Sequence, residues 1–372
     1  MKLSAYQIAL QILNQHGYEA FLVGGAVRDY LTMQKPHDFD VTTNAKPNTI
    51  KELFCDFKCL NIGEKHGTIT VFISGTPIEI TTYRSDSKYL DNRHPEKVKF
   101  ISDIKEDVAR RDFTINALLM DFNSKIIDYV GGTKDLDQHL IRAIGEPKKR
   151  FNEDALRILR GIRIASQYHF EIEAKTQAAM FSCRHLLENI SRERIAEEFL
   201  KIVKHHDLSV LKTYEAIFKP LLNYQYNANY LNQSDDPLIR LALLFKDAPS
   251  EIKKLFLNKE DRLVVEELIK YQDPSQNLIK CFSEVTNTEH YLKYLEILYH
   301  QDFKPQYESL KPYLVTKKNL AISASELMAM GYNGPLIGQV SLHLVKEIQS
   351  QAFPNEHTAI LNHLKHYDKN AL

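Results

Sequence analysis

Residues 21–40 read FLVGGAVRDYLTMQKPHDFD. An apolar run ends at Gly24-Gly25, Arg28 follows, and Asp38 and Asp40 close the stretch at alternate positions. Side chains of a strand alternate between faces, so Asp38 and Asp40 point one way and Phe39 the other. Two carboxylates held that close repel each other unless a cation lies between them. Oxygen ligands of this kind suit magnesium, which keeps waters and completes its shell with substrate phosphates. The glycine pair permits a tight turn into a helix, AVRDYL. Exposed N–H groups at that helix start, with Arg28 one turn in, would hold a phosphate tail. No G-K-[ST] follows, so this is not a Walker A loop.

Around this stretch the chain reads as a small α/β head. Strand candidates are AFLVGG, DFDVTT, GTITVFI, PIEITTYR, ALLMDF and KIIDYV, each rich in β-branched or aromatic residues and bounded by turn formers. From about residue 153 the pattern becomes helix after amphipathic helix, as in EDALRILRGIRIASQY, SRERIAEEFLKIVKHH and DRLVVEELIKYQ. The expected fold is therefore α+β: a head with a small mixed sheet, then an all-helical remainder. No fixed-period repeat or low-complexity linker interrupts it.

A chain of 372 residues exceeds one typical core. No apolar run reaches the ~18 residues of a membrane helix. The start, MKLSAYQIALQILNQHG, has helical apolar spacing and lacks a signal peptide's continuous apolar core, so a cytoplasmic location is expected. The four cysteines are too sparse for a disulfide framework, and no second pair completes a zinc site with Cys55 and Cys59. All four read as small buried apolar residues. Lys plus Arg and Asp plus Glu both total 48, so a nucleic-acid partner would have to be met by local clusters.

Three further groups carry chemistry. Glu79, in PIEITTYR, alternates with Ile78 and Ile80 and is a third metal-ligand candidate; an outward strand glutamate is the competing reading. Arg110, Arg111 and Asp112, with Asn116 one turn on, adjoin the apolar run FTINALLM. Asp154, Arg157, Arg160 and Arg163 recur every three residues, which on a continuous helix stacks all four along one side and suits an anionic or nucleotide ligand. Lys148, Lys149 and Arg150 extend that basic cluster. His205, His206 and Asp207 look like a phosphohydrolase doublet without partners, and Gly331, Gly334 and Gly338 read as turns and helix ends.

Together, LVGGAVRD, DFD, KHGTITV, RRDFTINA, IIDYVGG, RFNEDALRILRGIR and ISRERIAEE resemble, in order, the class II CCA-adding enzymes. These are tRNA nucleotidyltransferases that share a superfamily with bacterial poly(A) polymerases. The resemblance implies a nucleotidyltransferase head over 1–143, a base-recognising neck over 144–205, and a tRNA-binding body and tail over 206–372. It implies template-independent addition of C, C and A to tRNA 3′ ends from CTP and ATP, with release of pyrophosphate. By residue, Asp38 and Asp40 would bind two magnesium ions, and Gly25 and Arg28 the triphosphate. Arg111 would contact nucleotide, Asp154 and Arg157 would read the base edge, and Arg160 and Arg163 would position nucleotide or phosphate. Residues 85–97, with Tyr89, Asp91 and Arg93, resemble the loop used in switching from C to A. His94 departs from the usual second arginine, and Ile164 from a common phenylalanine. Rival readings are an A-adding or CC-adding enzyme, a poly(A) polymerase, and a catalytically inert nucleotide- or RNA-binding module. Intact Asp38 and Asp40 argue against the last. Nothing in the residues decides the oligomeric state.

Overall fold

The computed structural model describes residues 3–36, 38–86, 98–205, 207–275 and 277–366. It divides into two compact units, Met1–Leu222 and Asn223–Leu372.

In the first unit a seven-stranded mixed sheet is built from β1 (Ala20–Val23), β2 (Phe39–Thr43), β3 (Lys58–Leu60), β4 (Thr68–Ile73), β5 (Thr76–Thr82), β8 (Leu119–Met120) and β9 (Ile126–Ile127). Its order is β3-β4-β5-β2-β1-β8-β9, and β2–β5 is its parallel pair. A ribbon of β6 (Arg84–Asp86) and β7 (Val98–Phe100) lies between β5 and β8 in sequence. All six expected strands form. The unforeseen β3 is a three-residue edge strand, too short to show a period.

Helix α1 (Ala5–Gln15) starts at a capping box between Ser4 and Gln7 and buries Ala9, Leu10 and Leu13. These pack with Ala20, Val41, Ile69, Ile78 and Ile80 in one core cluster, whereas Val23, Tyr83, Val108 and Leu119 form another. Alternation along β1 thus sends Ala20 and Val23 to opposite clusters. Register partners share a face, so Asp40, opposite Val23, and Glu79, beside Asp40, lie on the Val23 side.

Helices α2 (Gly25–Leu31), α3 (Pro47–Leu53), α4 (Ile104–Ala109) and α5 (Gly132–Asp137) complete the head, and α6 (Pro147–Glu153), α7 (Leu156–Tyr168), α8 (Ala174–Cys183) and α9 (Arg192–Val203) follow. One departure from the all-helical expectation is a short parallel pair, β10 (Leu140–Ile141) with β11 (Glu171–Ile172). A second is sharper: Asp154 is not on the α7 helix. It is the C-cap of α6, in extended conformation, and its Oδ1 accepts from Leu156 N at 3.1 Å. A short carboxylate that bonds the backbone two residues ahead favours a break over helix continuation. The four-residue stack therefore reduces to Arg157, Arg160 and Arg163.

The second unit is helical among its described residues. Its longer helices are Pro237–Phe245, Lys259–Lys270, Thr288–Tyr299 and Pro335–Gln349. Asp236, Asn258 and Asn287 cap the first three with side-chain oxygens. A separate core joins Val315, Leu327, Tyr332, Leu344 and Ile360. Gly334 caps the last of these helices and Gly331 holds a left-handed turn, whereas Gly338 lies inside that helix and not at a turn or helix end. All four cysteines are free, and Cys55, exposed just beyond α3, and the half-buried Cys59 correct the expectation that each is buried. Asp207 caps a backbone turn through Ser209 N, at 2.8 Å; His206 lies outside the described residues. Among the described residues no helix is long and apolar enough to cross a membrane.

Candidate active site

A cavity of about 450 Å³ opens in the first unit where β1, β2, α2 and α7 converge. Seven arginines (Arg28, Arg84, Arg110, Arg111, Arg157, Arg160, Arg163) and five aspartates (Asp29, Asp38, Asp40, Asp112, Asp154) line it, with Gly24, Gly25, Asn116 and Gln167 among the rest. That excess of cations suits an anion, and the excess widens if Asp38 and Asp40 are reserved for metal.

Gly24 places Asp40. Its φ of 77° lies in the left-handed region, and a Cβ there would sit 3.2 Å from Asp40 Oδ2. Glycine satisfies both demands. Burial, then the Glu79 carboxylate, pushes the Asp40 carboxyl up to about 6 despite Arg111 nearby. This carboxylate is short of positive charge, the condition a cation relieves. Asp38 is exposed and lines the same cavity. Glu79 stands beside Asp40 in register but is exposed and outside the cavity lining. Among the described residues no set of three or more His, Cys, Asp or Glu side chains gathers into a metal site. A two-carboxylate donor set that leaves room for water and phosphate still fits magnesium.

Arg28 is buried on α2. Its Nη2 donates to Asp29 Oδ1 at 3.0 Å and to the Tyr168 hydroxyl at 2.8 Å, and its Nη1 donates to Asn116 Oδ1. Arg110 and Arg111 are fixed by Asp107, which is fully buried below the cavity. Asp107 accepts from Arg110 Nη2 at 2.6 Å, Arg111 Nη2 at 3.0 Å and Arg84 N at 3.2 Å. Burial alone would raise the Asp107 carboxyl, but the charges of Arg111 and Arg110 outweigh it and hold the group below its ordinary value. The same contest, won by Arg160 and Arg157, lowers Asp112. Arg28 Nε and Arg111 Nε remain buried with no hydrogen-bond partner. An orphaned donor costs roughly 1–3 kcal/mol, which a bound anion would recover.

The neck-side residues differ in freedom. Arg157 is built into a joint, donating to Glu153 Oε2 (3.0 Å), Arg150 O (3.2 Å) and Arg110 O (2.8 Å). Arg160 pairs with Asp112 at 3.1 Å and Arg163 with Glu198 at 2.7 Å. Asp154 Oδ2 meets Arg194 Nη2 of α9 at 3.2 Å. Gly25, Arg28, Arg111, Asp154, Arg157, Arg160 and Arg163 thus share one cavity with Asp38 and Asp40. Tyr89, Asp91 and Arg93 lie outside the described residues. Sequence reasoning passed over Asp29, Asp107, Gln167, Tyr168 and Arg194. The RER of ISRERIAEE was the visible signal for Arg194, and Asp107 stands three and four residues before Arg110 and Arg111, a helical ion-pair spacing, while Tyr168 carries no local pattern.

The family described as "Poly A polymerase head domain" matches residues 20–142, and "Probable RNA and SrmB- binding site of polymerase A" matches 169–210. The chain is 50% identical over 193 residues to a CCA-adding enzyme of Lactobacillus helveticus, covering 52% of this chain and 48% of that one. Identity to a Staphylococcus haemolyticus CCA-adding enzyme is 48% over 200 residues, covering 54% and 50%. The chain spans about half the length of the curated relatives it matches. Its fold matches the crystal structure of the Bacillus stearothermophilus CCA-adding enzyme in complex with CTP, with a TM-score of 0.79, 25% identity and 98% of each chain covered.

Proposed function

We propose that the chain is a tRNA nucleotidyltransferase, as its likeness to the poly(A) polymerase head domain and to CCA-adding enzymes supports, and that it adds CCA to tRNA 3′ ends, taking CTP and ATP and releasing pyrophosphate. The observation that carries this reading is one cavity lined by Asp38 and Asp40 on its strand side and by Arg28 and Arg111, each of which keeps a buried Nε–H without a partner. In the reaction the primer 3′-oxygen bonds to the nucleotide α-phosphorus, the α–β phosphoanhydride breaks, and the hydroxyl proton is released. Asp38 and Asp40 would hold magnesium, which when bound would activate that hydroxyl and neutralise charge at the leaving pyrophosphate. Gly25 and Arg28 hold the triphosphate, and Arg111, tethered by Asp107, donates to the nucleotide. Asp154 accepts the exocyclic amine shared by cytosine and adenine, while Arg157 and the α7 arginines bound the base side. Uracil and guanine offer a carbonyl in place of that amine, so Asp154 would meet an acceptor. Residues 1–143 serve as catalytic head, 144–205 as neck and 206–372 as tRNA-binding body and tail, in the cytoplasm with the substrate. The C-to-A switch of residues 85–97 and a metal role for Glu79 rest on resemblance and on register respectively.

Incubating the protein with tRNA lacking CCA, magnesium and labelled CTP and ATP tests the proposal. The expected product carries all three nucleotides, and Asp38→Ala and Asp40→Ala abolish it while tRNA still binds. Incorporation of CMP alone or AMP alone would reassign the protein to partial addition, and substantial addition by either alanine variant would overturn the carboxylate assignment.

A further inference from the structure

Arg28 is gripped by a residue 140 positions away, Tyr168, the last residue of α7. The phenol ring lies 4.4 Å from the guanidinium carbon, and its hydroxyl accepts from Arg28 Nη2 at 2.8 Å. That hydroxyl donates to Asp29, the neighbour of Arg28, and accepts from Gln167 Nε2 at 3.2 Å. One donor and two acceptor sites are all a phenol has, so every one is used. Gln167 Oε1 in turn accepts from Arg163 Nη1 at 3.2 Å. A continuous hydrogen-bonded chain therefore joins Arg163, on the helix that also carries Arg157 and Arg160, to Arg28. Tyr168 itself does not line the cavity.

We propose that Tyr168 is a positioning residue for the triphosphate of the incoming nucleotide, fixing Arg28 relative to the base-side helix. This rests on the nucleotide-site reading above. The hydroxyl and Asp29 occupy the Nη2 donors and Asn116 takes one from Nη1, so that of the five N–H groups the second Nη1–H and the buried, unpartnered Nε–H remain. Ring and hydroxyl thus fix the guanidinium in place and decide which of its N–H groups are left for an anion. Burial pushes the Tyr168 hydroxyl up to about 12 against the pull of Arg28, so it stays protonated and able to donate across the neutral range. Because α7 ends on Arg28, the spacing between base side and phosphate side is set by contact rather than by the intervening chain.

The test uses Tyr168→Phe, which keeps the ring and removes the hydroxyl, and Tyr168→Leu, which removes both. Binding of inorganic tripolyphosphate is measured by calorimetry on the full chain, alongside kcat and KM for CTP, ATP and UTP. Losing one charge-assisted hydrogen bond should weaken tripolyphosphate binding by Tyr168→Phe roughly tenfold. KM for CTP and ATP should rise by the same factor, with kcat within about twofold and the CTP-to-UTP preference unchanged. Tyr168→Leu should be at least as weak. A merely structural role would lower the denaturation midpoint and leave tripolyphosphate affinity at the wild-type value, which overturns the inference. So does a changed CTP-to-UTP preference at unchanged tripolyphosphate affinity. Shifted tripolyphosphate affinity in a protein that adds no nucleotide would support the positioning role and remove the tRNA reading instead; wild type that binds no tripolyphosphate would remove both.

Discussion

Asp154 is oriented before any nucleotide arrives. A carboxylate has about four acceptor sites; Leu156 N takes one and Arg194 another, leaving room for an exocyclic amine. On the proposed reading, replacing Asp154 with alanine would remove the acceptor that penalises UTP and GTP, so discrimination should fall together with rate. A hydrogen bond to a charged group is worth roughly 1.5–3 kcal/mol, or about one to two orders of magnitude in the CTP-to-UTP ratio of kcat/KM. An unchanged ratio would mean that the residue does not read the base. Asp107 works at the same scale without touching the cavity. Removing one partner of a buried ion pair costs about 3–5 kcal/mol, so Asp107→Asn should lose that much stability to urea at pH 7. The Asp107 carboxyl is held below its ordinary value by Arg111 and Arg110 once burial is overcome. Its contribution is therefore complete above the unfolded value, about 4, and is lost as pH falls through the lower folded one. The gap between wild type and Asp107→Asn should stay level from pH 5 to 8 and narrow only below about pH 4; a gap that narrows near neutrality would contradict this.

The helix carrying the neck arginines approaches the head through Gly161. A Cβ there would lie 2.5 Å from Met180 Cε on α8 and 2.7 Å from Phe113 Cζ, and both of those residues are fully buried. Methionine can bend aside; a phenylalanine ring in a filled core cannot move cheaply. Gly161→Ala should cost about 1–3 kcal/mol by overpacking, against the small gain that alanine brings to an exposed helix. Arg157 and Arg160 flank the contact, so the shift should also raise KM for both nucleotides. Equilibrium unfolding combined with CTP and ATP kinetics checks this, and a stabilised variant with unaltered KM would show that α7 has slack at this crossing. The break at Asp154 belongs to the same scale. It separates the base-side carboxylate from the α7 arginines and lets α9 steady it through Arg194.

Across the whole molecule the formal charge is zero, yet seven of the cavity-lining residues are arginine against five aspartates. Affinity for a polyanion must then come from local clusters, among them Lys148 and Lys149, both exposed on α6. Such binding releases counterions and falls with salt. The affinity for tRNA should weaken at least tenfold between 50 and 200 mM salt, the fall that about two phosphate contacts alone would give. Filter binding over that range measures it. An affinity indifferent to salt would place recognition in shape and 2′-hydroxyl contacts alone.

What the sequence determined by itself was local or repetitive: the six strand segments, the helical second half, the glycine turn and the alternate carboxylates. These follow from side-chain period and backbone freedom, which act over a few residues. The motif residues were legible too, as types suited to metal and phosphate, and the fold brings Gly25, Arg28, Asp38, Asp40, Arg111, Asp154, Arg157, Arg160 and Arg163 to one cavity. Only the tertiary structure decided how each is held. Asp107 meets Arg110 and Arg111 at helical spacing and owes only its burial to the fold, whereas Tyr168 against Arg28 and Arg194 on Asp154 join elements 40 or more residues apart. Such pairings are selected by which helix faces pack on which strands, and a buried charge declares its partner only once that packing has excluded water from both.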